Sequence, residues 1–460
     1  MALCLSNIIS AQDISFGHVQ NRMARNQDGI NQFDVIKDTV AFKGLSAYIG
    51  GAFAMQFQAL NSFNDQKEGT YPANPPLKAV EKYRLNDLEN QFNLPAANMT
   101  VGAQLADGLR VNLDVYLSAR HHNETWVKGG YLQIDKLDFI KKDFLADFMK
   151  YATFKIGQME NNYGDAHFRR TDNGNAILNP FIDGNIMDSF ETEMGAEFYY
   201  NRNGFVSMLG VTNGKLNQSV AEIIPKGPNY NTTISPTILV KLGYDKQLNK
   251  DLRVRFTGSL NHNSNMSANP WSSDRAGARY FGVMTHQAYK YDGKDVASNF
   301  DPTANATTGR FNPGFGNWYT AMMFNPFVKF KGLEFFGTAE FAQGGNKAGD
   351  DTARRITQYV GDVVYRFGST EQFYIGGRYG TVNGKLDNAD AKAVTVNRFE
   401  SSIGWFMTKN ILAKVAYTTQ SYKDFSQVDG ASTSNPGGTS LNDLYGGNFN
   451  GILFEAVIAF

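Results

Sequence analysis

The feature that most constrains the fold is a two-sided pattern within Asn98–Arg120, which reads NMTVGAQLADGLRVNLDVYLSAR. In both halves of this stretch apolar residues occupy every second position, with polar or small residues between them. A period of two indicates a β-strand, whose side chains point alternately to opposite faces. The dipeptide Asp107-Gly108 between the halves suits a tight type I′ turn, because both residues tolerate positive φ. The stretch therefore predicts a β-hairpin with one apolar and one polar face.

Two classes of protein contain such a hairpin. In a soluble β-sandwich the apolar face packs into a core and the polar face meets solvent. In a transmembrane β-barrel the apolar face touches lipid and the polar face lines an internal lumen. The hairpin alone fits both classes, so the choice between them depends on the rest of the chain.

Length and composition favour the barrel. The 460 residues exceed the roughly 250–300 at which a single soluble core stops growing, and no linker divides them. A closed barrel escapes this limit because its interior is not a packed core. Aromatic residues make up 13% of the chain, with 35 phenylalanines, which is many for a soluble β-protein. No run of about 18 apolar residues occurs, so we expect no transmembrane helix.

The charge balance argues against a nucleic-acid partner, because 44 basic residues are matched by 44 acidic ones. Residues 1–11 form a short apolar run that ends in small residues and is typical of the end of a secretory signal peptide. The one cysteine, Cys4, lies in this run, so we expect no disulfide or thiol chemistry after export. Residues 12–44 lack clean periodicity and are assigned to a periplasmic N-terminal segment.

Three regularities in residues 45–460 predict an all-β fold, a transmembrane antiparallel β-barrel of about 16 strands. Short turns alternate with long loops, which places periplasmic turns at one end and extracellular loops at the other. The last strand alternates from Ile452 to the final Phe460. Aromatic residues on the apolar faces cluster beside the short turns, as in an interfacial girdle. These residues are Tyr200, Tyr244, Phe330, Tyr365, Phe367, Phe373 and Trp405.

The C-terminal strand resembles the closing strand of Gram-negative outer-membrane β-barrels, which ends in an aromatic residue. Two further segments, Phe154–Gly164 (FKIGQMENNYG) and Ile186–Tyr200 (IMDSFETEMGAEFYY), are similar to the strands that flank a loop in the phosphate-selective porin O and P family. This resemblance implies a passive outer-membrane channel. The loop between the two segments lacks the ladder of arginines and lysines that phosphate selectivity needs.

The loop Glu160–Ser189 is expected to fold into the barrel and narrow the lumen, as the third loop does in porin-like barrels; the alternative is a flap over the mouth. Its candidate constriction residues are Asp165, His167, Arg169 and Arg170. Further candidate pore-lining residues lie on the polar faces of strands. They are Lys241, Arg253, Arg255, Glu340, Arg366, Arg378 and Arg398. Opposed basic groups across a narrow gap attract anions, whereas pairing with inward carboxylates would remove any preference.

Patterns for catalysis and metal binding are weak. The pair His121-His122 lies in a polar loop, and no Ser, His and Asp set can be placed together. The run Asp387–Asp390 is too short for a calcium loop, and no glycine-rich phosphate motif opens a helix. We therefore expect no enzyme activity and no cofactor.

Together these features predict an outer-membrane porin for passive diffusion of small hydrophilic solutes or ions, with a weak preference for anions. Two alternatives stay open: a substrate-specific channel for oligosaccharides or phosphate-type solutes, and a structural or secretion-partner barrel plugged by its own loops. The specific channel is favoured by tyrosines on the polar faces, namely Tyr48, Tyr116, Tyr131, Tyr199 and Tyr374. The expected partners are outer-membrane lipid and the solutes. A homotrimer is compatible with the pattern, because a trimer-forming surface is as apolar as a lipid-facing one.

Overall fold

The computed structural model describes residues 15–67, 69–71, 79–117, 126–170, 174–216, 220, 233–272, 279–301, 308–345, 353–385, 392–428 and 440–460. The expected signal peptide, residues 1–11, lies outside these ranges. Sixteen strands form the barrel. They are β1 (Ser46–Phe63), β2 (Gln91–Ala106), β3 (Leu109–Leu117), β4 (Trp126–Ile134), β5 (Ala152–Glu160), β6 (Thr192–Tyr200), β7 (Phe205–Thr212), β8 (Thr237–Gln247), β9 (Leu252–Asn263), β10 (Trp318–Phe330), β11 (Leu333–Gly345), β12 (Arg354–Phe367), β13 (Phe373–Gly384), β14 (Val394–Thr408), β15 (Ile411–Lys423) and β16 (Asn448–Ala459).

Antiparallel pairing closes these strands into a barrel. Each strand pairs with the next, and β16 pairs back with β1 from Ala52 opposite Ala459 to Phe63 opposite Asn448. Closure leaves no free strand edge at membrane depth, where an unpaired backbone group has no water to bind. The predicted sixteen-stranded antiparallel barrel, with long loops at one end and short turns at the other, is confirmed.

The outer surface of the barrel is apolar. Large apolar side chains are exposed at alternate strand positions, for example Ile403, whose exposed fraction is 60%. Beside the short turns, four aromatic rings stack side by side with centroids 5.7–6.2 Å apart. They belong to Tyr365, Phe367, Phe373 and Trp405. An apolar band with an aromatic girdle is the surface that a transmembrane barrel presents to lipid, so the protein is integral to the outer membrane.

Helices contribute little to the fold. The longest described α-helix is a single turn, Ala146–Met149, between β4 and β5. No helix within the described ranges has the length and apolar character needed to cross a membrane.

The β2–β3 hairpin forms as predicted, but its turn differs. Only Gly108 has a positive φ, of 71°, and the strand pairing slips by one residue between Gln104 and Ala106. The bulge absorbs the twist that a type I′ turn would otherwise supply, so Asp107 keeps a negative φ. The type I′ prediction was therefore wrong, although the turn and its position were right.

The interior is more filled than the polar faces predicted. The third long loop (161–191) and the fifth (264–317) meet inside the barrel in an apolar cluster with inward-facing strand residues. Loop residues in this cluster include Ile182, Met187, Trp271 and Tyr280, all essentially fully buried. The sequence did not predict that the fifth loop would enter the barrel.

The fifth loop also carries two short strands outside the barrel wall. Within the described part of this loop, Tyr289–Tyr291 and Lys294–Val296 form strands, and they join Gly69–Tyr71 and Val80–Tyr83 of the first long loop in a separate four-stranded sheet. Arg279, in the same loop, is buried, and its Nε lies 3.2 Å from the carboxylate of Glu455 on β16.

A charge placed at mid-depth on the outer face tests the lipid-facing assignment. We expect Phe399→Arg to lower the free energy of unfolding in lipid vesicles by about 2–4 kcal/mol, because an arginine at the bilayer centre loses the water that hydrates its charge. Asn397→Arg lies on the same face of β14 nearer the loops and should cost at most about 1 kcal/mol. Equal effects of the two variants on urea unfolding would contradict the assignment.

Candidate functional site: the narrowed lumen

The third long loop lies inside the barrel and bonds to inward-facing groups of its wall. At the start of the loop, the side-chain oxygen of Asn162 accepts a short hydrogen bond from the ammonium group of Lys241 on β8. The hydroxyl of Tyr163 donates a hydrogen bond to the carboxylate of Glu340 on β11 at 3.2 Å. Further along, the carbonyl oxygen of Phe181 accepts from Lys414 on β15 at 3.0 Å. The loop thus contacts strands on the β8–β15 side of the wall. The one regular element in its described residues is a short 3₁₀ turn, Ala166–Arg169.

Asp165 is the main anchor at the start of this loop. Arg255 Nε donates to it at 2.8 Å and Thr257 Oγ1 at 2.7 Å, while Lys241 Nζ lies 3.2 Å from its other oxygen. The backbone N–H of Asp165 donates to Asn325 at 2.8 Å. Burial works to raise the pKa of Asp165, but the positive charges of Lys241 and Arg255 outweigh it and hold that pKa well below its usual range. The carboxylate is therefore ionised at neutral pH and pairs with both basic groups, while Arg255 also pairs with Asp34 and Asp245.

Asp183 is the second anchor, at the far end of the loop. Its carboxylate lies 2.9 Å from Arg310 of the fifth loop and 3.2 Å from Arg398 on β14. Its carbonyl oxygen accepts from Arg378 at 2.8 Å. The same Arg378 makes a two-pronged ion pair with Asp362 at 2.7 and 2.8 Å. Arg378 and Arg398 are therefore neutralised by carboxylates.

Two more predicted residues share one carboxylate. Arg366 donates to Glu334 at 2.9 Å, and Arg169 approaches the other oxygen of Glu334 at 3.8 Å. Burial lowers the pKa of Arg169 to about 10 against the opposing effect of Glu334 and Asp362, so its guanidinium is still charged at neutral pH. Arg169 also packs on the ring of Phe336, 4.6 Å from its centroid.

The remaining predicted residues are also paired within the wall or the loop. Arg170 lies 2.9 Å from Asp188, and Arg253 lies 2.7 Å from Asp245. Glu340 accepts from the indole N–H of Trp271 at 3.1 Å, in addition to Tyr163. These contacts match the alternative interpretation of the sequence, in which inward carboxylates neutralise the arginines.

His167 carries no charge in this setting. One ring nitrogen lies 2.9 Å from Asn162 Oδ1 and the other 3.8 Å from Glu160. Burial, together with the nearby positive charge of Lys241, holds the pKa of His167 well below its usual range. The imidazole is therefore neutral at neutral pH and acts as a hydrogen-bonding group.

A polar cavity of about 150 Å³ lies on the other side of the loop, against the inner faces of β1 and β3 to β6. Five basic and three acidic side chains line it. The basic ones are Arg22, Arg25, Arg110, Lys128 and Lys155, and the acidic ones are Asp114, Glu160 and Glu197. The cavity is thus more basic than acidic, unlike the ion-paired side of the lumen.

Three of these basic residues lie against tyrosine rings. The guanidinium of Arg22 lies 3.7 Å from the ring centroid of Tyr48, and Arg110 lies 5.8 Å from that of Tyr131. The ammonium of Lys155 lies 5.5 Å from the same Tyr131 ring. Within the described residues, no ion pair joins Arg22, Arg110 or Lys155 to a carboxylate.

Sequence reasoning missed most of the basic residues of this cavity. Arg22 and Arg25 belong to the N-terminal segment, whose irregular sequence gives no sign that it enters the lumen. Lys128 is the extra residue of a β-bulge, because Asp114 pairs with Gly129 while the next residue, Val115, pairs with Val127. A bulge turns a side chain away from the face that strict alternation assigns to it. Among the basic residues of the cavity, Arg110 stood on a predicted polar face, and the lining residues Tyr48, Tyr131 and Tyr199 were also predicted to lie on polar faces.

No metal centre is found in the described part of the chain, where no group of three or more His, Cys, Asp or Glu side chains is placed to hold an ion. The histidine pair at 121–122 and the acidic run at 387–390 lie outside the described residues.

No protein-family model matches the chain, and no curated protein is significantly similar to it in sequence. Solved barrels align along nearly their whole length. An anion-selective porin from Comamonas acidovorans aligns with 9% identity and a TM-score of 0.49, covering 90% of this chain and 100% of its own. The outer-membrane channel DcaP of Acinetobacter baumannii aligns with 11% identity and a TM-score of 0.49, covering 91% and 99%. OmpT, an outer membrane protein of Vibrio cholerae, aligns with 9% identity and a TM-score of 0.48, covering 92% and 99%.

These matches carry no information on what this chain transports. The narrower resemblance to the phosphate-selective porin O and P family is not confirmed by them.

Acidification tests the anchoring role of Asp165. Because the folded-state pKa lies below the unfolded value of about 3.9, its stabilising effect is complete above about pH 4 and is lost as the pH falls below that value. In the wild type, we expect residues 161–170 to lose protection from hydrogen exchange when the pH is lowered below about 4. In Asp165→Asn the protection should already be low at pH 7, because Lys241 is left buried without its partner, a loss of about 3–5 kcal/mol.

Asp245→Asn is the matched control, because Asp245 also contacts Arg255 but does not touch the loop. Unchanged protection of the loop in Asp165→Asn at pH 7 would contradict the anchoring role.

Proposed function

We propose that this protein is an outer-membrane porin through which small hydrophilic solutes diffuse passively into the periplasm. The observation that carries the proposal is the polar cavity beside the third loop, inside a closed barrel with an apolar exterior. Water and polar solutes can occupy a space lined by charged and amide groups, whereas lipid cannot. No chemical step on the solute is part of the proposal.

The filled side of the lumen supports a small size limit. Loops three and five pack against the β8–β15 side and anchor there through buried ion pairs around Asp165 and Asp183. The space beside them, about 150 Å³, is the size of a cavity that holds one benzene-sized molecule. Passage therefore suits ions and solutes of a few heavy atoms, and excludes folded or oligomeric ones.

The charge of the cavity supports a weak preference for anions. The predicted basic groups, such as Arg378 and Arg398, are neutralised, so the preference rests on Arg22, Arg110 and Lys155. With five basic and three acidic residues around the cavity, the excess is two positive charges. Low-dielectric walls focus the field of such an excess and raise the local concentration of anions.

A second candidate is a substrate-specific channel, for which tyrosines are the relevant observation. Tyr48, Tyr131 and Tyr199 line the cavity, and flat rings beside cations suit ligands with a sugar or planar body. Tyr374 lies elsewhere in the wall, stacked against Arg366 at 5.2 Å. Assembly into a homotrimer is a further part of the proposal, and the apolar exterior is compatible with it, because a trimer-forming surface is as apolar as a lipid-facing one.

Planar-bilayer recording separates the proposals. A porin gives open-channel steps whose conductance is proportional to salt concentration. A specific channel gives such steps and is also blocked by its own solute at low concentration. The absence of channel openings at every salt concentration would contradict the porin proposal.

The source of anion preference is tested by reversal potentials in a salt gradient. We expect the wild type to prefer anions, and the double variant Arg110→Gln, Lys155→Gln to move the reversal potential toward zero. Arg366→Gln is the control, because Glu334 keeps Lys329 at 3.5 Å and Arg169 at 3.8 Å as partners. Cation preference in the wild type, or an equal shift in Arg366→Gln, would contradict the assignment.

A further inference from the structure

The N-terminal segment, residues 17–44, forms a loop across the short-turn end of the barrel. Its two ends are held side by side, because Ser15–Phe16 pairs in parallel with Ser46 and Ala47 at the start of β1. The chain between these ends has no strand and only one 3₁₀ turn, Gln27–Gly29. The segment is therefore a single irregular loop, both ends of which lie at the start of β1.

One set of contacts joins this segment to the β2–β5 side of the barrel. Arg25 makes a two-pronged ion pair with Asp114 on β3, at 2.7 and 3.2 Å. Lys37 lies 2.7 Å from Asp135 and donates to the carbonyl oxygen of Ala152 at 2.7 Å. The Lys37 anchor lies beside the connection between β4 and β5, whereas Asp114 lies midway along β3, so Arg25 reaches into the lumen.

A second set of contacts reaches the opposite side. Asp34 lies 2.6 Å from Arg255 on β9, and the side-chain amide of Asn31 donates to Glu334 on β11 at 2.6 Å. Because the contacts of one segment span both sides of the barrel, the segment must cross the opening between them.

The crossing is completed at the turns and at the third loop. Asp28 pairs with Lys409 in the β14–β15 turn at 2.9 Å, and the backbone N–H of Gln27 donates to the Lys409 carbonyl at 2.9 Å. Arg169 of the third loop donates to Asn31 at 2.5 Å. The N-terminal segment therefore lies directly beneath the third loop.

Apolar residues of the segment add to these polar contacts: Val19 is buried, Ile30 and Val35 pack against buried apolar clusters, and Phe33 lies at the centre of a further cluster. Phe33 is buried between Phe327 and Phe336 of the wall and Phe168 of the third loop, with ring centroids 5.2–6.2 Å apart. Among the other anchors named above, the Asp28–Lys409 pair is exposed, so water and salt can replace it, whereas the Asp34–Arg255 pair and the Asn31–Glu334 hydrogen bond are buried. The connection back to β1 is exposed over most of residues 39–44 and includes Gly44, whose φ is +117°.

The space around the segment also suits movement. A cleft of about 600 Å³ separates residues 37–42 from the turn at Asp107-Gly108 and from the β4–β5 connection. A second cleft, of about 320 Å³, lies between residues 31–36 and the β6–β7 turn. Residues 19–36 are buried or half-buried except at Asp28, whereas residues 37–44 are mostly exposed, and residues 37–42 line the larger cleft.

We propose that residues 17–44 are a displaceable periplasmic plug, which rests on the proposed channel function and sets both the conductance and part of the anion preference of the channel. The barrel closes through β1 and β16 without any contribution from the plug, so the wall does not depend on it. The plug brings Arg22 and Arg25 into the cavity. Its departure removes two positive charges and opens the end of the lumen that faces the short turns.

A reversible tether tests this proposal in the full chain. In a Cys4→Ser background, Asp28→Cys and Lys409→Cys place one thiol on the plug and one on the barrel, at a surface ion pair 2.9 Å long. A short cleavable bis-thiol reagent then joins them. The control pair Asp107→Cys and Lys136→Cys replaces an ion pair of 2.5 Å at the same end of the barrel that does not involve the plug.

The bilayer recording has a defined expectation. Before the reagent is added, the double variant Asp28→Cys, Lys409→Cys should show transient openings of larger conductance and weaker anion preference. The tether should abolish these openings, and cleaving the tether should restore them. Tethering the control pair should change neither property. An unchanged distribution of conductance levels after tethering would overturn the plug.

A second measurement separates failure of the plug from failure of the channel. Trypsin cuts after Arg22 and Arg25 only when these residues leave the lumen. The double variant Arg25→Gln, Asp34→Asn should be cut faster at Arg22, and the tether should abolish this increase. That result supports displacement of the plug even if no channel openings are recorded. The absence of openings would then contradict the porin function alone. Equal protection of Arg22 in wild type, loosened and tethered protein would overturn the plug.

Discussion

The backbone of every transmembrane strand must find its hydrogen-bond partners within the wall, because the hydrocarbon core of a membrane offers none. Pairing of β16 with β1 meets this requirement by removing both free edges. Once the wall is closed, side-chain alternation fixes the rest: one face of each strand meets lipid, and the other faces the interior. The apolar exterior, the aromatic girdle and the polar interior are all consequences of that closure.

The interior then has its own constraint, which is that buried charges need partners. Asp165 and Asp183 illustrate the solution, since each binds basic groups from the wall and ties a loop to it. A chain with equal numbers of acidic and basic residues can satisfy most of its inward charges in this way. The side of the lumen facing β1 and β3 to β6 is the exception, because Arg22, Arg110 and Lys155 lie on tyrosine rings instead of carboxylates.

The wall could be read from the sequence because alternation is a local signal that each strand repeats. The number of strands, the girdle at residues such as Trp405 and the inward direction of Arg378 follow from it. The partners of Arg378 could not be read, because Asp362 lies on the neighbouring strand and Asp183 lies about 200 residues away in a loop without periodicity. The inward direction of Lys128 could not be predicted for another reason, because a β-bulge interrupts the alternation of side chains at this position. Residues 17–44 carry no periodic signal at all, and their position depends on contacts with distant strands.

The central claim is that a narrow, water-filled passage remains beside the packed loops. Swelling of liposomes that contain the purified protein tests it most directly, with neutral sugars of increasing size as the osmolyte. The account predicts swelling with glycerol, slower swelling with a pentose and none with a tetrasaccharide. Swelling at the same rate with all three, or with none of them, would contradict it.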